Sequence, residues 1–151
     1  MKCDLPGDAA VVVGPGLQHR LAEYARTSLP LEACGLLLGR SGRVEDVVQL
    51  RNRSAWPREH YALDPLEYMQ AERHCDQLGV SVLGVWHSHP DSAALPSVTD
   101  ERHAWPGWLY VIVGRPRDDV PDLRGWRLDN GRFRQVMLHF GVSEDTAPGS
   151  L

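Results

Sequence analysis

Residues 80–100 read Val80-Ser-Val-Leu-Gly-Val-Trp86-His87-Ser88-His89-Pro90-Asp-Ser-Ala-Ala-Leu-Pro96-Ser97-Val-Thr-Asp100. The first part, Val80 to His89, is apolar, rich in β-branched residues and too short for a typical helix, so it reads as a buried strand. Side chains on a strand alternate faces. His87 and His89 therefore project the same way, roughly 6–7 Å apart along the strand, and two imidazoles so placed can converge on one metal ion. Pro90 ends the strand, and Ala93, Ala94 and Pro96 make a turn-rich loop. Ser97-x-x-Asp100 then opens a helix. An ion held by two histidines needs a further ligand, and a carboxylate returning from a short loop suits it. Two histidines, one carboxylate and one open position are the arrangement of a catalytic zinc site. The same Ser97-x-x-Asp100 also reads as a capping box, with Ser97 capping the helix and Asp100 reaching back. On these residues alone both readings stand.

The joint pattern is more demanding than either half: His-x-His, seven residues, Ser, two residues, Asp. His87, His89, Ser97 and Asp100 meet it at every position. The pattern resembles the metal signature of the JAMM (MPN+) zinc metallopeptidases. That family adds a glutamate far upstream, near the start of a strand after the first helix. Glu32 in Leu31-Glu32-Ala33-Cys34-Gly35-Leu-Leu-Leu-Gly39 sits there. The resemblance runs over roughly residues 10 to 139. It includes Tyr61-Ala-Leu-Asp64-Pro65 before the second helix and Trp108-Leu-Tyr-Val-Ile-Val113 after the site.

The resemblance implies a set of roles. His87, His89 and Asp100 would hold Zn2+, which supplies hydroxide at neutral pH by lowering the pKa of its water to about 7. Glu32 would be the general base, a carboxylate near the metal that moves the proton. The Ser97 hydroxyl would face the oxyanion. Capping and catalysis then compete for that hydroxyl, so Ser97 is expected to cap weakly. Ser88 points away from the histidines and reads as structural, and Trp86 as core. His103, one helical turn past Asp100, is a neighbour of the site or a surface histidine, like His19, His60, His74 and His139. Trp105 and Trp108 suit either a substrate groove or core packing. Cys34, inside an apolar run, reads as a buried small residue rather than a nucleophile.

The chain has 151 residues, the size of one domain with its own core. Its formal net charge of −4 and lack of a basic cluster argue against nucleic acid. No apolar run has membrane-spanning length, and Met1-Lys-Cys-Asp-Leu-Pro lacks the apolar core of a signal peptide. The three cysteines, odd in number and widely spaced, fit a cytoplasmic protein better than a disulfide framework. We expect a single domain over residues 1–140 and a disordered tail over 141–151.

Outward from the site, Ala9 to Val13 reads as a strand, and Leu17, Leu21, Tyr24, Ala25 and Ser28 mark an amphipathic helix that Pro30 stops. Ala33 to Leu38 and Val44 to Leu50 form a hairpin around Ser41-Gly42. Asp64-Pro65-Leu66-Glu67 starts a helix, with Asp as N-cap and Pro at the first position. Tyr68, Ala71, Cys75 and Leu78 give that helix its core face, and Gly79 ends it. A short helix over Val98 to Ala104 and a strand over Trp108 to Val113 follow. Leu123 to Leu128 and Arg132 to Phe140 form a hairpin at Asn130-Gly131. This is an α/β order: a mixed, largely antiparallel β-sheet flanked by helices. It agrees with the MPN/JAMM, cytidine-deaminase-like architecture that the resemblance implies.

A zinc deaminase would need His-x-Glu and Pro-Cys-x-x-Cys, and neither occurs. A non-catalytic MPN scaffold is the main alternative, although such modules generally lose ligands and this chain keeps the full set. The chain also lacks long insertions around the site. In this it resembles the small bacterial members, which trim ubiquitin-like, β-grasp sulfur-carrier proteins to a C-terminal Gly-Gly. The expected activity is hydrolysis of the peptide or isopeptide bond after that Gly-Gly, with the carrier as partner, and without nucleic acid or membrane.

Overall fold

The computed structural model describes residues 9–141. Cys3, and the expected tail from 142 onward, lie outside the described residues. The elements run β1 (Val11–Val13), α1 (Leu17–Ser28), β2 (Cys34–Arg40), β3 (Arg43–Leu50), α2 (Pro65–Leu78), β4 (Ser81–His89), α3 (Val98–His103), β5 (Leu109–Gly114), β6 (Asp122–Asp129), β7 (Arg132–Val136) and β8 (Leu138–Phe140). The sequence order holds up to its last strand. Local signals act where they were read. Asp64 accepts from the backbone N–H groups of Leu66 and Glu67, at 3.0 and 3.1 Å, and Gly79 closes α2 with φ of 71°. Asn130 and Gly131 both have positive φ, as a two-residue hairpin turn of this hand requires.

One sheet of eight strands, ordered β7-β6-β5-β4-β2-β3-β1-β8, organises the molecule. The β2/β3, β2/β4, β5/β6 and β6/β7 pairs are antiparallel, and β4/β5, β1/β3 and β1/β8 are parallel. The β4/β5 pair is parallel because the loop and α3 carry the chain back between them. The expected single strand over 132–140 is instead two strands. β7 pairs with β6 at one edge, and β8 pairs with β1 at the other, with Met137 between them. Periodicity reports which face a side chain takes and says nothing about which neighbour its backbone joins.

Both faces of the sheet are covered, which is why β2 reads as a continuous apolar run. On one face, Leu17, Leu21 and Ala25 of α1 meet Leu37, Val47, Trp86, Val111 and Val113. On the other, Leu36, Leu38, Val85, Tyr110, Ile112 and Trp126 meet Cys75 of α2. Trp86 is fully buried, donates its indole N–H to Val48 O at 3.0 Å and stacks on Tyr24. Its cross-strand neighbour must be glycine, because a Cβ on Gly35 would sit 2.6 Å from the indole nitrogen. Leu78 departs from the expected core face of α2. It is 57% exposed, and the helix buries its Tyr68, Ala71 and Cys75 edge instead. Among the described residues, no helix is long and apolar enough to cross a membrane.

Candidate metal centre and active site

The end of β4 carries the site. Strand alternation sends Trp86 and Ser88 to one side and His87 and His89 to the other. Cys34 lies opposite His87 in the β2/β4 register. Pairing continues one step past it: Ser88 N–H donates to Ala33 O at 3.0 Å, and Ala33 N–H donates to Ser88 Oγ at 2.8 Å. Ser88 is thus the structural clasp that its orientation suggested. It holds the segment carrying Glu32 against the strand carrying the histidines. Glu32 is further fixed by its own backbone, which donates to Pro57 O at 2.7 Å and accepts from Asn52 Nδ2 at 3.0 Å.

The loop after Pro90 is tied down at several points. Ala94 N–H donates to Asp122 Oδ2 at 3.0 Å, and Ala94 O accepts from Trp126 Nε1 at 3.1 Å. Arg115 N–H donates to Ser92 O at 2.9 Å. The neighbouring carbonyl of Ala93 therefore has a fixed place, 3.0 Å from His89 Nδ1. A carbonyl only accepts, so His89 carries a proton on Nδ1, which leaves Nε2, beside Asp100, as the ring atom that could turn a lone pair to an ion.

Asp100 arrives on the first turn of α3. Its Oδ2 lies 3.1 Å from His89 Nε2 and 3.3 Å from His87 Nε2, and the two Nε2 atoms are 3.2 Å apart. Zinc–nitrogen distances of about 2.0–2.1 Å at tetrahedral angles put two ligand atoms about 3.3 Å apart. This near-equilateral triangle of one oxygen and two nitrogens therefore fits a tetrahedral ion with its fourth position open. On proximity alone His87, His89 and Asp100 could hold a metal ion, with all three donor atoms within 4.8 Å of one another.

The capping box is fully formed as well. Asp100 N–H donates to Ser97 Oγ at 3.0 Å, and Ser97 N–H donates to Asp100 Oδ2 at 2.9 Å. The expectation that Ser97 caps weakly is therefore corrected. A hydroxyl accepts through a lone pair and donates through its proton, so accepting the cap bond leaves its donor free. Capping and oxyanion binding do not compete for the same part of the group.

Burial sets the electrostatics. Glu32 is 6% exposed, and its Oε1 has no hydrogen-bond partner. Burial pushes its carboxyl up to about 8; His89 pulls against this and Asp100 adds to it. A cation held beside it would draw the value back down, since opposite charge favours the carboxylate. Burial lowers His87, which keeps it a neutral donor, although its Asp100 partner resists. At His89 burial also pulls downward, but the bonds to Asp100 and Ala93 prevail and raise it. Burial acts to raise Asp100, and hydrogen bonds from His87, His89 and Ser97 hold it well below the usual carboxylate range. Burial pushes the Cys34 thiol up to about 12, and its Sγ faces Leu50 O at 3.8 Å, an environment that disfavours a thiolate.

The structure thus brings Glu32, His87, His89, Ser97 and Asp100 to one end of the sheet. His103 stays outside the ligand triangle and lines an adjoining pocket, with His60 and both Trp105 and Trp108. Trp105 lines that pocket and is 66% exposed, and Trp108 both lines it and packs against the core. Three residues were given no role at the site by the sequence, although Tyr61 lies in a stretch that shares the resemblance. Tyr61 stacks on His87 with ring centroids 4.4 Å apart, and Asp122 and Trp126 anchor the loop that orients His89.

Residues 15–129 match the family described as prokaryotic homologs of the JAB domain. A desampylase of Haloferax volcanii is 41% identical over 93 residues, covering 60% of this chain and 67% of the relative. A CysO-cysteine peptidase of Mycobacterium tuberculosis is 31% identical over 124 residues, covering 80% of this chain and 84% of the relative. The solution structure of a protein from Desulfitobacterium hafniense superposes with a TM-score of 0.80 at 30% identity, covering 90% of this chain and 97% of that one.

Proposed function

The chain belongs to the family of prokaryotic homologs of the JAB domain, and from that membership we propose that it is a zinc-dependent metallopeptidase. It hydrolyses the bond after the C-terminal Gly-Gly of a ubiquitin-like, β-grasp sulfur-carrier protein. The observation that carries this reading is the triangle of His87 Nε2, His89 Nε2 and Asp100 Oδ2, with edges of 3.1 to 3.3 Å, together with the buried carboxyl of Glu32, whose Oε1 has no hydrogen-bond partner. The names of the two relatives support the substrate class, since both are named for activities on small protein conjugates or a carrier-linked residue.

A zinc ion held there would supply an acidified water and a Lewis acid for the scissile carbonyl. His87, His89 and Asp100 hold the ion. Glu32, unbonded at Oε1, takes a proton and passes it to the leaving amine. Ser97, its cap bond intact, directs its O–H toward the developing oxyanion. The same reading puts the enzyme in the cytoplasm, which the free, buried Cys34 and Cys75 support.

The test is to reload the purified protein with zinc, incubate it with candidate β-grasp carriers extended beyond Gly-Gly, and weigh the products. Cleavage immediately after Gly-Gly, abolished by chelation and restored by zinc, is the expected result. Zinc-loaded protein that leaves every extended carrier intact, or that hydrolyses unrelated unfolded peptides equally well, overturns it.

A further inference from the structure

A pocket of about 780 Å³ opens directly beside Asp100, between the 54–63 segment on one side and residues 99–108 on the other. Its walls include Trp56, Trp105, Trp108, Tyr61 and Tyr68. Trp56 is 69% exposed and Trp105 66%. Two indoles from separate loops thus stay largely in water and face one space. An apolar concavity of this kind is where a ligand group binds. The pocket is also preformed. Trp105 N–H donates to the Tyr110 hydroxyl at 2.8 Å, and Trp56 N–H donates to Ser54 Oγ at 3.1 Å. The Trp56 carbonyl accepts from Glu59 and His60 at 3.1 and 3.0 Å, which closes the turn that presents it. Tyr68 lies 6.5 Å from Trp108, ring centre to ring centre.

The pocket is continuous with the site. Asp100 and Tyr61 line it, and Tyr61 is the ring stacked on His87. Asp100 is the one carboxylate among the lining side chains, and its Oδ2 is turned to the histidines; no lysine or arginine lines the space. His60 and His103 are the other ionisable side chains on walls that are otherwise mostly aromatic and aliphatic, so the space suits a largely apolar group.

Resting on the activity proposed above, we propose that this pocket receives the side chain of the residue released from the carrier, the one immediately after Gly-Gly. It selects a large apolar, preferably aromatic, side chain. Distance along the substrate assigns the pocket to that residue. Two glycines upstream carry no Cβ, so the first upstream side chain lies about 7 Å of extended chain away from the scissile carbonyl. The released residue carries its Cβ two bonds beyond the scissile nitrogen, next to the wall that Asp100 and Tyr61 share. Trp105 and Trp56 are the specificity-determining residues. Their loss should weaken binding of the apolar residue without disturbing the metal ligands.

The experiment uses zinc-loaded enzyme and one carrier extended after Gly-Gly by Ala, Asp, Leu, Phe or Trp. Phe and Trp are expected to be cleaved at least about tenfold faster than Ala in kcat/KM, with the difference in KM. In Trp105→Ala, whose fold is checked by circular dichroism and whose zinc content is checked by metal analysis, the ratio of Phe to Ala cleavage should collapse toward one. Equal cleavage of all five carriers overturns the pocket assignment and leaves the peptidase reading standing. A preference that instead follows a Phe placed before Gly-Gly also overturns it. If no carrier is cleaved, the peptidase reading fails, and binding decides the pocket. In zinc-loaded Glu32→Gln, the peptide Gly-Gly-Phe should shift the indole N–H signals of Trp56, Trp105 and Trp108 but not those of Trp86 and Trp126. Gly-Gly-Ala should shift them weakly. Identical responses to the two peptides, or none, overturn the proposal.

Discussion

In the proposed reaction Glu32 is the residue on which the chemistry turns, and its environment makes opposite demands. Its carboxyl is buried with Oε1 unpartnered, and in metal-free protein burial pushes it from an ordinary 4.5 up to about 8. Glu32→Gln keeps the shape and loses the proton acceptor. It should retain stoichiometric zinc and lose about 10²–10⁴-fold in turnover, measured by metal analysis beside carrier cleavage; full activity would remove Glu32 from the base role. The stability sign follows from the raised value. Between about pH 4.5 and about pH 8 the folded protein binds more protons than the unfolded chain, so stability falls as pH rises through that window. Thermal melts of metal-free wild type should show that decline, and Glu32→Gln should lack its share of it. Ser97 permits a cleaner separation, because it both caps α3 and stands by the site. Replacing a serine cap by Ala costs about 1 kcal/mol, and by Gly only a few tenths. Ser97→Ala and Ser97→Gly should therefore differ in stability yet lose turnover alike, by about 10²–10³ if the hydroxyl serves the oxyanion. Near-normal turnover in Ser97→Gly would leave Ser97 as a cap alone.

At the scale of elements, the site depends on a loop that is held more than it is flexible. The segment after Pro90 places Ala93 O on His89 because Asp122 and Trp126 grip Ala94 from both its N–H and its carbonyl. Gly114, at the end of β5, must be glycine for the loop to lie there. A Cβ would sit 2.3 Å from Ala94 N and 2.5 Å from Ala93 C. Gly114→Ala should push the loop outward and release His89 from its orienting bond. Losing such a partner typically costs 10–100-fold in metal affinity. Competition with a chelator of known affinity measures this, and an unchanged zinc affinity would mean that the loop does not set the histidine. The elements themselves were largely legible in the sequence. α2 announced its start with Asp64-Pro65 and its end with Gly79, and the β6/β7 turn with Asn130-Gly131. The division of 132–140 into β7 and β8 was not, because the choice between two sheet edges lies in partners far away in the chain.

For the whole molecule, the two apolar clusters on either face of the sheet contain none of Glu32, His87, His89, Ser97 or Asp100. The fold therefore has its own driving force, to which the proposed metal binding would add. Chelation should leave the far-ultraviolet circular dichroism unchanged and lower the melting temperature. Zinc at one hundred times its dissociation constant contributes about 2.7 kcal/mol. Loss of secondary structure on chelation would mean instead that the ion nucleates the fold.

The His-x-His pair, the Ser-x-x-Asp box and the helix and turn signals are local. Spacing along a strand or one helical turn fixes where such side chains point, so the sequence by itself determined the three candidate ligands and the order of elements. Glu32 was placed only by resemblance to a family, since nothing within its own segment distinguishes it from an exposed strand-end residue. Its burial, and its place beside the histidines, come from the β2/β4 pairing and the Ser88 clasp. The stacking of Tyr61 on His87, the grip of Asp122 and Trp126 on the loop, and the meeting of Trp56 with Trp105 across one pocket join segments 26 to 49 residues apart. Such contacts leave no period in the chain, because they are selected by which strands lie side by side, and only the tertiary structure decides that.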